Sequence, residues 1–294
     1  MSWLALVLLR SVALSCLEVT WKVFLGKHKS PILVIAFWTS IIPAAILAPY
    51  VIYHQQYEAL ASGIYLKAIF ANVGLNIGAD LLLFYMIRKY DVSYISALSA
   101  TSPLFYLTFG WLFLGENLPP EIIILIIAIV SGGLLLELSR KEKHNSLMDL
   151  VKSSSFIHML GYILLTSLST VASKIAITNG PVEGYIAVRY ALLALGFLAL
   201  SWLLPALTKS ARQGFFKKEY AKLSVAGLFL TFAVMFEMYA YAIAEIALVD
   251  ALTKITLIFT FILEYILIKR VFNRSRILAI FITMLSAAGI VLIR

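Results

Sequence analysis

The sequence predicts an all-α, polytopic membrane protein of ten transmembrane helices, arranged as two inverted five-helix repeats. Three observations predict it. The 294 residues are 62% hydrophobic and only 13% charged, whereas soluble domains are closer to half apolar and a quarter charged. The apolar residues gather in runs of about 20, each long enough to cross a bilayer as a helix. The two halves of the chain also resemble one another.

The segments read as 3–26, 31–53, 66–87, 92–114, 120–139, 156–178, 182–207, 222–243, 247–268 and 276–293. They take up most of the chain and leave no room for a soluble domain. Helices are the expected state, because backbone groups in hydrocarbon must be satisfied within each segment. The first segment does not read as a signal peptide: it lacks a basic start, carries Arg10 within the apolar run and continues too far. A single cysteine, Cys16, excludes an internal disulfide.

The net charge of +9 comes from short loops, so it speaks for topology and lipid headgroups rather than nucleic acid. The loops after segments 1, 3, 5, 7 and 9 hold nearly all the basic residues, for example Lys27, Arg88, Lys141, Lys217 and Arg274. The other loops and the termini hold essentially Lys67 and Arg294. The positive-inside rule puts the odd loops in the cytoplasm of a cell-membrane protein and both termini outside.

Self-similarity divides the chain into repeats at 1–139 and 156–294, joined by a basic linker at 140–155. With one gap, Ser15 falls on Ser167, Lys22 on Lys174 and Trp38 on Arg189; an offset of 155 then takes Tyr65 to Tyr220, Ser99 to Lys254 and Ser131 to Ser286. Five helices per repeat is an odd number, so the halves must cross in opposite senses. Transporters commonly use this plan, with the binding site where the repeats meet.

The stretch "FYMIRKYDVSYISALSATSPLFYLTFGWLFLGENLPPEIIILIIAIVSGGLLL", 84–136, resembles the drug/metabolite transporter superfamily, and its EamA-type domains in particular. The pattern is a basic-aromatic pair (Lys89-Tyr90), a proline in a helix of small residues (Pro103), then Gly115-Glu116, then Gly132-Gly133. In the second half, "VDALTKITLIFTFILEYILIKRVF" resembles the variant with a basic residue early in the ninth helix, here Lys254. The second half departs from the pattern: Lys269-Arg270 stand where Gly-Glu is expected, and no proline matches Pro103. The charge bias departs too, since the family usually keeps both termini cytoplasmic. The resemblance implies a transporter rather than an enzyme.

Ionisable side chains at membrane depth are costly and tend to face a cavity or a partner. By position along their segments, Lys174, Arg189, Glu237, Asp250 and Lys254 fall in one half of the membrane, and Glu18, Lys22 and Asp80 in the other. The first cluster has three cations and two carboxylates, which leaves one cation for an anionic substrate. Asp250 and Lys254, four apart on a helix, share a face and can pair. Arg189 can hold a carboxylate or phosphate with two bonds; its alternative is a pair with Glu237. Glu237 and Asp250 are candidates for proton coupling. Lys22, Lys174, Asn76 and Tyr241 complete the candidate substrate-binding residues.

There is no P-loop, no G-x-S-x-G and no metal spacing among the four histidines. No catalytic residue, cofactor or metal is therefore expected. The function that follows is a secondary carrier, working as a monomer among membrane lipids. It would move a small anionic or zwitterionic metabolite by alternating access, proton-coupled or by exchange. The alternatives are a flippase for a lipid-linked headgroup, or a non-transporting protein whose charges are structural pairs.

Overall fold

A computed structural model describes residues 2–28, 32–90, 95, 99, 101–138, 154–203, 223–256, 259, 262–263 and 274–293. Ordered structure among them is helical, with no strand. Six helices are long and apolar enough to cross a membrane, and three shorter apolar ones accompany them. The linker at 140–153, the loop at 204–222, Glu264 and Lys269-Arg270 lie outside the described residues, as does the side chain of Lys22.

The first half runs α1 (Trp3–His28), α2 (Ile32–Tyr53), α3 (Gly63–Lys89), α4 (Ser102–Phe109) and α5 (Pro120–Leu138). The second runs α6 (Ser154–Asn179), α7 (Val182–Leu203), α8 (Ser224–Ile243), α9 (Ile246–Thr253) and α10 (Arg274–Ile293). Local chemistry sets several ends. Ser62 caps α3 by accepting from the Tyr65 N–H, and Arg88 and Lys89 occupy its last turn, where cations complement the helix dipole. Pro103 sits in the first turn of α4, a position that lacks a partner for its N–H anyway. After α4 the backbone widens into a π-turn, Gly110–Leu114, which Gly115 ends at a φ of 67°. Only glycine adopts that left-handed conformation without strain.

The halves interlock helix by helix. The principal pairings are α1 with α8, α2 with α7, α3 with α6, α4 with α9, and α5 with α10. Nearly all of the apolar core belongs to one continuous cluster crossing both halves. Large apolar side chains also cover the outside, among them Trp111, Leu112, Ile124, Trp202 and Phe281. In water such a surface would aggregate; in hydrocarbon it costs nothing. Helix α9 has no outer face, since all of Ile246–Thr253 is buried.

Close approach at the α6–α7 turn depends on one residue. A Cβ on Gly180 would fall 2.4 Å from the ring of Tyr65, which is fully buried and donates to the Pro181 carbonyl at 3.1 Å. Gly180→Ala is expected to destabilise the protein by about 1–3 kcal/mol through overpacking, read as a lower melting temperature in detergent. A Gly180→Ala/Tyr65→Leu double variant should recover part of that loss if the ring is the obstacle.

Candidate functional site

A cavity of about 210 Å³ lies between the halves. From the middle of the helices it extends toward the end where the odd loops emerge, reaching Trp21 on α1 and Leu83 and Ile87 on α3. The opposite end is tied together by polar contacts. There Glu183, in the first turn of α7, accepts from Gln56 at 3.2 Å and from the hydroxyl of Tyr239. Glu116 accepts the first N–H of α9, from Ile246, at 3.0 Å. Lys174 donates to the carbonyls of Tyr241 and Ala244, at the C-terminal end of α8. The carboxylate thus meets the positive end of one helix, the ammonium the negative end of its predecessor, and the two lie 3.9 Å apart. Glu116 fits there because Gly110 has no side chain: a Cβ would sit 2.7 Å from its oxygen.

Among the described residues, the cavity gathers three cations, Arg10, Arg189 and Lys254, and four carboxylates, Glu18, Asp80, Glu237 and Asp250. Two pairs close on themselves. Arg10 Nη2 donates to Glu237 Oε1 at 2.5 Å, and the same oxygen accepts from Tyr241 at 3.1 Å. Lys254 Nζ lies 3.3 Å from Asp250 Oδ1 and donates to Ser102 Oγ at 2.7 Å. Ser102 in turn donates to Asp250 Oδ2 at 2.6 Å. That triangle joins α4 to α9 across the halves.

Arg189 differs. It is 8% exposed, yet among the described residues no carboxylate lies within 4.0 Å of it and its Nε has no hydrogen-bond partner. The guanidinium is held over two rings, 4.9 Å from the Tyr190 centroid and 5.8 Å from Tyr185. Such stacking orients a guanidinium without neutralising it. Tyr185 is in turn fixed by Ser173 at 2.7 Å, and Ser173 by Asn72 at 2.8 Å. Asn76 also lines the cavity, but its amide donates to Asn72 and Ser169. The polar stripe of α3 therefore both ties that helix to α6 and faces the open space.

Several expectations from the sequence change. Arg189 does not pair with Glu237, because Arg10 takes that carboxylate. The separation into two clusters does not hold: Glu18 and Asp80 share one cavity with Arg189, Glu237, Asp250 and Lys254. Depth along a helix does not fix direction around it, and these side chains all turn inward. Lys174 leaves the cluster for the α8–α9 junction, and Tyr241 is fully buried behind Glu237 rather than lining the space. Among the described residues, the balance of three cations to two carboxylates becomes three to four. Arg10 was the residue that sequence reasoning missed; its signal was an arginine in the middle of an apolar run.

Residues 1–138 match the model of the EamA-like transporter family. The first half of this chain belongs to that family. The match, over a little under half of the chain, points to a membrane transporter. No curated protein sequence matches the chain. A solved structure described as "Crystal structure of protein" aligns with a TM-score of 0.73 at 14% identity, over 98% of this chain and 97% of that one. At that identity the likeness speaks for the fold alone, and it takes in both halves of the chain.

Proposed function

We propose that this EamA-like transporter is a secondary carrier of ten transmembrane helices in two inverted five-helix repeats. It moves a small polar metabolite with an anionic group by alternating access. The observation that carries the reading is Arg189, a buried guanidinium without a carboxylate partner among the described residues, lining a cavity between the halves. A cation left unpaired at membrane depth is costly to keep, and an anionic ligand is what would offset that cost.

The pairing of helices supports the repeats. Exchanging α1–α5 for α6–α10 in order turns the α1–α8 pairing into α6–α3, and returns α2–α7, α4–α9 and α5–α10 to themselves. A two-fold relation between the halves requires that pattern. Proton coupling, if it runs through Glu237 or Asp250, has to break the ion pairs that hold them to Arg10 and Lys254.

A thermal-stability screen of the purified protein against a metabolite library tests the site, since a ligand that binds the folded state raises its melting temperature. A compound with a carboxylate or phosphate is expected to stabilise the wild type and not Arg189→Gln, and to be exchanged across proteoliposomes by the wild type. Equal stabilisation of both proteins by every hit would remove Arg189 from the site.

A further inference from the structure

A buried arginine that leaves nearby carboxylates alone needs a physical cause. Glu237 and Asp80 lie within electrostatic reach of Arg189, and both line the same cavity. Arginine has a long side chain and a planar fork that suits a carboxylate with two bonds. The ion pairs among the described residues nevertheless join Arg10 to Glu237, Lys174 to Glu116 and Lys254 to Asp250, and Arg189 is in none of them. Glu237 is already held by Arg10 and Tyr241. What keeps the guanidinium from Asp80 lies on its own side, where it rests on the rings of Tyr190 and Tyr185.

The two rings differ. Tyr190 lines the cavity, whereas Tyr185, one turn before Arg189 on α7, is fully buried and does not. The Tyr185 hydroxyl lies 2.7 Å from Ser173 Oγ. Ser173 has a single proton, which goes to the Ser169 carbonyl at 3.0 Å, and Asn72 donates to the same Oγ at 2.8 Å. Tyr185 is therefore the donor of its bond. Asn72 is fixed as well: its amide also reaches the Ser169 carbonyl at 2.8 Å, and its Oδ1 accepts from Asn76 at 2.9 Å. All these side chains are buried, so a broken bond leaves a polar group with no water to replace its partner. The ring is thus anchored to α6 and, through it, to α3.

We propose that Tyr185 is the positioning residue of Arg189: anchored through Ser173 to Asn72, its ring keeps the guanidinium on the cavity wall and off Asp80. The proposal rests on the carrier reading above, in which Arg189 holds an anionic group. It adds how a charge that could be neutralised within the protein stays available to a solute. Tyr185 does not line the cavity and acts only through Arg189. A cation resting on a desolvated ring face is stabilised enough to resist a pull from a carboxylate it does not touch. Without the ring, the side chain is free to settle on Asp80.

The experiment needs no solute. Full-length protein in detergent is treated with glyoxal, a small arginine-selective dicarbonyl, and modification of Arg189 over time is read by peptide mass spectrometry. Arg10, paired with Glu237, is the comparison within each sample. Wild-type Arg189 is expected to react well ahead of Arg10. Tyr185→Leu, which removes the ring, should slow Arg189 by about tenfold or more. Adding Asp80→Asn to Tyr185→Leu should restore most of the rate, which a mere loss of packing would not allow. Tyr185→Phe keeps the ring and loses only the hydroxyl; it should melt close to wild type and react at a rate between wild type and Tyr185→Leu.

Wild-type reactivity in Tyr185→Leu would overturn the proposal, and in Tyr185→Phe it would overturn the anchoring through Ser173 and Asn72. A loss in Tyr185→Leu that Asp80→Asn does not restore would also overturn it, since a damaged fold would then have moved Arg189. Wild-type Arg189 no faster than Arg10 would sink this proposal and the carrier reading together, because the guanidinium would not be open to the cavity. Rates as expected, in a protein that no anionic compound stabilises, would keep the positioning role and remove the carrier reading alone.

Discussion

Arg10→Ala is expected to destabilise the protein by about 3 kcal/mol, the lower end of what removing one partner of a buried ion pair costs. Arg10 and Glu237 meet at 2.5 Å with 11% and 16% of their side chains exposed. Without Arg10, the Glu237 carboxylate keeps, among the described residues, the Tyr241 hydroxyl. The cavity admits some water, which is why the lower end applies. An Arg10→Met/Glu237→Leu double variant should melt above the single one, because it leaves no uncompensated charge. Melting curves of the wild type, both single variants and the double variant decide it. A double variant less stable than Arg10→Ala would mean the pair contributes through contacts other than charge.

Lys254→Ala should cost a similar amount, about 3 kcal/mol, for a different reason. Lys254, Asp250 and Ser102 bond each other in a closed triangle that fastens α4 to the fully buried α9. The pair that the sequence offered as a binding site is therefore largely committed to packing. Lys254→Ala is expected to lower the melting temperature while leaving the upward shift given by a bound ligand nearly intact. Asp250→Asn/Lys254→Gln, which keeps hydrogen-bonding groups around Ser102 and removes both charges, should melt above Lys254→Ala. Complete loss of the ligand shift in Lys254→Ala, with the fold retained, would return the lysine to the binding site.

The membrane class and most helices were legible because apolar length and backbone satisfaction leave little choice. Segment 6, expected at 156–178, is the helix Ser154–Asn179, and segment 8, expected at 222–243, is Ser224–Ile243. Which way the charged residues face was not legible. Lys174 and Arg189 stand at comparable depths on neighbouring helices, yet one turns to the carbonyl end of α8 and the other into the cavity. Sequence gives the position of a residue along a helix, but the direction depends on partners more than a hundred residues away. The Arg10–Glu237 pair spans 227 positions and the Ser102–Asp250 bond 148. The Gly115-Glu116 motif was visible as a family feature, but its work, holding the start of α9, needed the α8–α9 turn in place beside it.

The tied end bears on rates. Glu116, Lys174 and Glu183 make their contacts at one end of the helices only. For a carrier, a solute arriving at the open mouth meets Arg189 at a frequency that grows with its concentration. One arriving at the fastened mouth must wait for those contacts to part, a first-order event that its concentration does not hasten. Influx and efflux would then saturate differently, and weakening Glu116 would hasten the opening step that both directions share.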